Sequence, residues 1–222
     1  MSLWSDFLNN RDRVIHKWPH YFPIYERHFS PWVNKSLLFF EIGVYRGGSL
    51  QMWKKYFGPH VRIVGIDIKP KCKRYEEEQV SVRIGDQSDH KFLSELIEEF
   101  GPPDIVLDDG SHQMEHITST FEYLYPKLSK YGVYLVEDLH TAYWEEYGGG
   151  LGRESTFMEH CKSLTDKLNT EHTRGVLAED DFSKSTLSMH FYNSIVVFEK
   201  GSPLALEPLK RGNREGILGI LS

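Results

Sequence analysis

A chain of 222 residues is long enough to bury one sizeable core and short for two, so a single domain with terminal additions is expected. The formal net charge of −6 argues against a nucleic-acid backbone as partner, and no run approaches the ~20 apolar residues of a membrane span. Cys72 and Cys161 stand far apart in no metal-ligand spacing and fit free thiols, and Met1 to Arg13 carries no signal peptide, so a cytoplasmic protein is expected.

In chain order, residues 14–32 carry Trp18, Tyr21, Phe22, Tyr25, Phe29 and Trp32 among charges, punctuated by Pro19, Pro23 and Pro31. They read as short helical pieces laid over a core edge. Simple packing explains them, and aromatic bodies with polar tips also suit a lid. Leu37 to Ile42 has strand length, and a glycine turn and a helical pattern through Leu50, Trp53 and Phe57 follow. Val61 to Ile68 makes a second strand and Val80 to Ile84 a third, closing on Gly85-Asp86. Phe92, Leu93, Leu96, Ile97 and Phe100 place an amphipathic helix over 88–100, stopped by Gly101-Pro102-Pro103.

A fourth strand at Ile105 to Asp108 leads to a helix with Met114, Ile117, Phe121, Leu124 and Leu128 on one face, and Val133 to Val136 is the fifth strand. Beyond Tyr147, the glycines at 148–150 and 152 predict a mobile loop, followed by a helix near Thr156 to Leu168. Leu187 to Tyr192 and Ile195 to Glu199, parted by Asn193-Ser194, read as an antiparallel hairpin. This alternation predicts an α/β, doubly wound, Rossmann-like sheet, mostly parallel, with a C-terminal antiparallel hairpin. The expected division is an N-terminal helical and aromatic lid over 1–36, a cofactor-binding catalytic domain over 37–202 and a tail over 203–222.

Ligands of such sheets sit beyond the carboxyl ends of the strands, where the chemistry-bearing residues fall. Glu41-x-Gly43-x-x-x-Gly47-Gly48-Ser49 is a nucleotide-type turn without the dinucleotide fingerprint. An acid before its first glycine is unwelcome beside a pyrophosphate and welcome beside an ammonium, which favours S-adenosylmethionine over NAD. Asp67, ending the second strand, is placed for two ribose hydroxyls, and Asp86 and Gln87 for the adenine edge. Taken singly, each is as often a turn or cap residue. Asp104 to His116 packs an apolar run, two adjacent carboxylates, a glycine and two histidines together, and Val133 to His140 again ends a strand in paired acids.

The ordered motifs Glu-Ile-Gly-Val-x-x-Gly-Gly-Ser, Gly-Ile-Asp-Ile, Gly-Asp-Gln-Ser-Asp, Asp-Asp-Gly-Ser-His and Val-Glu-Asp-Leu resemble those of class I S-adenosylmethionine-dependent methyltransferases. More narrowly, the chain resembles the metal-dependent sugar O-methyltransferases of macrolide and other natural-product pathways, and the cephalosporin hydroxylase family is similar over the same region. In that subgroup, the resemblance implies, Asp109, Glu137 and Asp138 bind Mg²⁺ and His112 is the catalytic base. It also implies a homo-oligomer. The residue types agree: carboxylates are hard oxygen ligands, a metal-held diol is more acidic, and a nearby histidine can take its proton.

Plainer roles stand beside these. Asp108 is expected to cap a helix or face the cofactor, His116 to serve the core, His140 to be solvated, and Tyr143 and Trp144 to line the acceptor pocket or pack their loop. The expectation is a magnesium-assisted O-methyltransferase acting on a sugar or polyol hydroxyl of a small natural product. Its rivals are a cephalosporin-hydroxylase-like role, a catechol, amine or carboxylate acceptor, or a non-catalytic S-adenosylmethionine-binding partner.

Overall fold

The computed structural model describes residues 2–202 and 210–212. Its centre is built from β1 (Leu37–Ile42), β2 (Val61–Asp67), β3 (Val80–Ile84), β4 (Ile105–Asp108) and β5 (Val133–Val136), all parallel. All six residues of β1 are buried, as expected of a strand covered on both faces. The hairpin of β6 (Thr186–Tyr192) and β7 (Ile195–Lys200) adds antiparallel to β5, giving the order β3-β2-β1-β4-β5-β7-β6. The order reverses between β1 and β4, where a doubly wound sheet opens its ligand crevice.

Alternation along the strands divides the core in two. Phe39, Leu107 and Leu135 face a layer formed by α1 (Leu3–Leu8), α2 (Phe22–Phe29) and α3 (Gly48–Phe57), whereas Phe40, Val106 and Tyr134 face α4 (His90–Phe100), α5 (Met114–Leu124) and α6 (Phe157–Leu168). The N-terminal pieces lie deeper than a core edge. Tyr25 and Phe29 are fully buried, with ring centroids 5.1 and 5.6 Å from that of Trp53.

Small departures from the predicted boundaries have local causes. The helix expected from 88 begins at His90, because the Asp89 carboxylate caps it by accepting from the Lys91 and Phe92 amides. α5 stops at Leu124 and passes into a 3₁₀ turn at Tyr125–Lys127, since Pro126 has no amide to continue the ladder, although Leu128 still reaches the core. The glycine-rich stretch is pinned: the Gly149 and Gly150 amides donate to the Trp144 and Ala142 carbonyls. Both cysteines are buried free thiols, and no helix among the described residues is long and apolar enough to cross a membrane. Apart from 210–212, the expected tail over 203–222 lies outside the described residues.

Candidate active site

The alternation that sorts the core also sorts the acids. Glu41, Asp109 and Glu137 continue the rows of Phe39, Leu107 and Leu135, so all three face the α2/α3 layer at neighbouring strand ends. Asp109 and Glu137 converge on one atom: Lys17 Nζ donates to Asp109 Oδ2 at 2.5 Å and to Glu137 Oε2 at 2.8 Å, its side chain only 2% exposed. Burial alone would push the Lys17 ammonium down, but the charges of Asp109, Glu137 and Glu41 outweigh it and hold its pKa above the ordinary value. Tyr25 Oη donates to the other Glu137 oxygen at 2.6 Å, so Glu137 is buried with both oxygens engaged.

Asp138 departs from the strand pattern because its backbone is left-handed, with φ of 54°. That twist returns its side chain to the strand ends, where Tyr21 Oη donates to Oδ1 at 2.6 Å. His112, also left-handed at φ 58°, places Nε2 3.9 Å from Asp109 Oδ1 and 3.8 Å from Asp138 Oδ2. These separations exceed hydrogen-bond length. Potential ligand atoms of Asp109, His112 and Asp138 lie within 4.8 Å of one another.

A cavity of about 480 Å³ opens beside them. Gly43, Asp67, Asp86 and Gln87 wall one side, and Asp109, Gly110, Ser111, His112 and Asp138 the other, with His16 at the N-terminal edge. Asp67 is fixed by three backbone amides: Val44 and Tyr45 donate to Oδ2 at 3.0 and 3.1 Å, and Lys69 to Oδ1 at 2.8 Å. Gln87 braces the His112 loop, its Oε1 accepting from the Ser111 amide at 2.7 Å while its Nε2 donates to Asp108 and Thr120. Asp86 accepts from the Ser88 amide and hydroxyl, and these bonds hold its carboxyl below the usual range.

Other expected residues are not brought to the cavity wall. Asp108 points to the opposite face, as its place in the Phe40 and Val106 row requires, and lies buried against Gln87 and Tyr134. Glu41 sits beneath Trp53, whose Nε1 donates to Oε1 at 3.3 Å. Its other oxygen has no hydrogen-bond partner among the described residues, and burial pushes its carboxyl up to about 7. Gly47 and Gly48 serve close packing: an added Cβ would meet the Tyr75 ring at 2.6 Å and the Val14 carbonyl oxygen at 2.2 Å, and Ser49 is buried beside them. Glu137 lies behind the wall, held by Lys17 and Tyr25. Tyr143 and Trp144 stand outside, half exposed, with the Trp144 ring 4.7 Å from His140 and His140 5.9 Å from Trp18. Trp18, His140 and Trp144 form an aromatic rim that Tyr147 extends towards His112, whose ring is 6.4 Å away. His116 lines the cavity, bonded to Ser111 Oγ.

Sequence reasoning did not single out Lys17, Tyr21 and Tyr25 as site residues. Lys17 belongs to no motif, and the one available signal was the spacing of Tyr21, Tyr25 and Phe29, which puts a stripe on one side of a helix. The donor set fits a hard divalent cation. Asp109 and Asp138 both line the cavity, and their Oδ1 and Oδ2 respectively accept no hydrogen bond among the described residues, with His112 Nε2 3.9 and 3.8 Å away.

No family model matches the chain. Demethylmacrocin O-methyltransferase of Streptomyces fradiae is 37% identical over 199 residues, covering 82% of this chain and 49% of that protein. Mycinamicin VI 2''-O-methyltransferase of Micromonospora griseorubida is 35% identical over 82% of this chain and 48% of its own length. Among solved structures, the MycE methyltransferase of the mycinamycin pathway, in complex with Mg, SAH and mycinamycin VI, superposes with a TM-score of 0.78 at 33% identity, covering 90% of this chain and 53% of that one. The chain thus spans about half the length of the curated relatives it matches. Shared sequence over most of this chain and the shared mostly parallel sheet show a class I methyltransferase fold similar to that of these natural-product sugar O-methyltransferases.

Proposed function

We propose that the chain carries the reaction site of a magnesium-assisted, S-adenosylmethionine-dependent O-methyltransferase that methylates a sugar hydroxyl of a small natural product. The observation that carries this reading is His112 Nε2 poised between Asp109 and Asp138 at the wall of the strand-end cavity. Similarity to these sugar O-methyltransferases supports the donor and acceptor class.

Asp109 and Asp138 would hold the magnesium ion, with Glu137 behind them, and Gly43, Asp67, Asp86 and Gln87 would border the donor. When bound, the sulfonium supplies an electrophilic methyl group and the magnesium ion increases the acidity of the acceptor hydroxyl. His112 takes the hydroxyl proton at Nε2 as the carbon–oxygen bond forms and the carbon–sulfur bond breaks, and its imidazolium is then stabilised by the two aspartates beside it. Gln87 keeps that imidazole in place by fixing the Ser111 amide one residue earlier. The reaction needs alignment and no covalent enzyme intermediate, which suits a site whose loop is braced from behind.

The test is transfer of a labelled methyl group from S-adenosylmethionine to glycosides bearing vicinal hydroxyls, with magnesium and with chelator. His112→Ala is expected to lower kcat by about 10²–10⁴-fold with little change in KM. Undiminished turnover in that variant overturns the assignment of the base, and full activity in chelator overturns that of the metal.

A further inference from the structure

Away from the strand-end cavity, three potential metal ligands from separate elements meet on the far side of α2. His28 comes from that helix, His190 from β6 and Glu199 from β7, and their ligand atoms lie within 4.8 Å of one another. His28 Nδ1 is 2.8 Å from Glu199 Oε1, and His190 Nε2 is 3.3 Å from Glu199 Oε2. Ser188 Oγ joins the same group, 2.9 Å from His190 Nε2 and 2.8 Å from Glu199 Oε2. We propose that His28, His190 and Glu199 form a second cation site, selective for a borderline first-row divalent ion such as zinc, that clips α2 to the β6–β7 hairpin.

Ligand chemistry separates the two sites. Two imidazoles and one carboxylate suit zinc and its neighbours, whereas the oxygen donors of Asp109 and Asp138 suit magnesium. A metal-binding histidine usually donates its other ring nitrogen to a fixed partner, and Tyr192 Oη stands 2.9 Å from His28 Nε2 to receive it. The ion would replace the protons now shared among these side chains. It has an entry path, because the His190 and Glu199 side chains are 32% and 35% exposed although His28 is buried. Three protein ligands leave a fourth position for Ser188 Oγ or water.

The consequence reaches the strand-end cavity through α2. That helix carries Tyr25, which holds Glu137, and follows directly on Tyr21, which holds Asp138. Fixing its His28 end to the hairpin restricts how far those tyrosines can move. The inference does not depend on the methyltransferase reading, since its test reads metal binding.

Chelator-treated full-length protein, kept in excess magnesium, is titrated with zinc by calorimetry, and with cobalt to read the visible absorption of a four- or five-coordinate site. One zinc equivalent and a zinc-dependent rise in Tm are expected. Both should vanish in His190→Ala and Glu199→Gln and persist in His112→Gln, which separates this site from the cavity. His190 is half-buried and Glu199→Gln keeps its shape, so both variants should fold, as circular dichroism will verify. The proposal is overturned if the wild-type protein takes up no zinc, if zinc uptake survives both substitutions, or if it is lost in His112→Gln.

Discussion

Lys17 is the residue on which the acidic side of the cavity depends, since its ammonium is shared by Asp109 and Glu137 at a depth where an unpaired carboxylate is expensive. Lys17→Met should therefore destabilise the protein by about 3–5 kcal/mol in chelator. Magnesium should restore part of that loss, because another cation can then answer the same carboxylates. Urea unfolding with and without magnesium measures both, and identical loss in the two conditions would mean that packing, not charge, gives Lys17 its weight. Glu41 makes the opposite kind of prediction. Its folded pKa of about 7 lies above the ordinary 4.5, so the folded state keeps a proton that the unfolded chain has released, and stability falls as pH rises through that window. Glu41→Gln removes this slope, so stability of the variant relative to the wild-type protein should improve by up to about 1.4 kcal/mol per pH unit across it. Parallel stability curves would show that Glu41 ionises normally. Neither effect is legible in the sequence. The strand that carries Glu41 is, but Lys17 stands 92 positions before Asp109 in no motif, and only the fold brings them together.

At the scale of elements, strand alternation carried much of the information. Central parallel strands are apolar on both faces, which made β1, β4 and β5 readable as runs, and the period of two then turns Asp108 and Asp109 to opposite faces. What the period cannot give is the left-handed backbone of Asp138 and His112, which re-aims both side chains towards one spot. The glycine turn was legible as a turn but not as a seat for the N-terminal segment. Gly48 abuts the carbonyl of Val14, where an added Cβ would lie 2.2 Å from backbone oxygen. Gly48→Ala should therefore push residues 13–17 off the start of α3, destabilise the protein by about 1–3 kcal/mol and loosen Lys17 with them. Trypsin reads this directly, as faster cleavage after Arg13 and Lys17. An unchanged rate would mean that the segment yields without leaving its seat.

For the whole molecule, the two sides of the sheet are covered by different parts of the chain. α4, α5 and α6, from the chain after β3, close the side of Phe40, Val106 and Tyr134, whereas the side of Phe39 and Leu107 is closed jointly by α3 and by residues that precede the sheet. Leu3, Tyr21, Phe22, Tyr25 and Phe29 are all buried there, and Tyr25 and Phe29 pack against Trp53. The stretch before β1 thus contributes core as well as a border to the cavity. Removing residues 2–33 would leave Phe39, Trp53 and Phe57 facing water and Glu137 without Lys17 or Tyr25. Burial of a large aromatic side chain contributes about 1.5–3 kcal/mol, so the loss of several exceeds the margin by which a domain of this size stays folded. The truncated chain is expected to bind hydrophobic dyes and to lose a cooperative unfolding transition, although every strand remains in it. A sharp calorimetric transition near that of the full chain would show instead that the sheet and its helices stand alone, and that the aromatic segment is a cover which the core does not need.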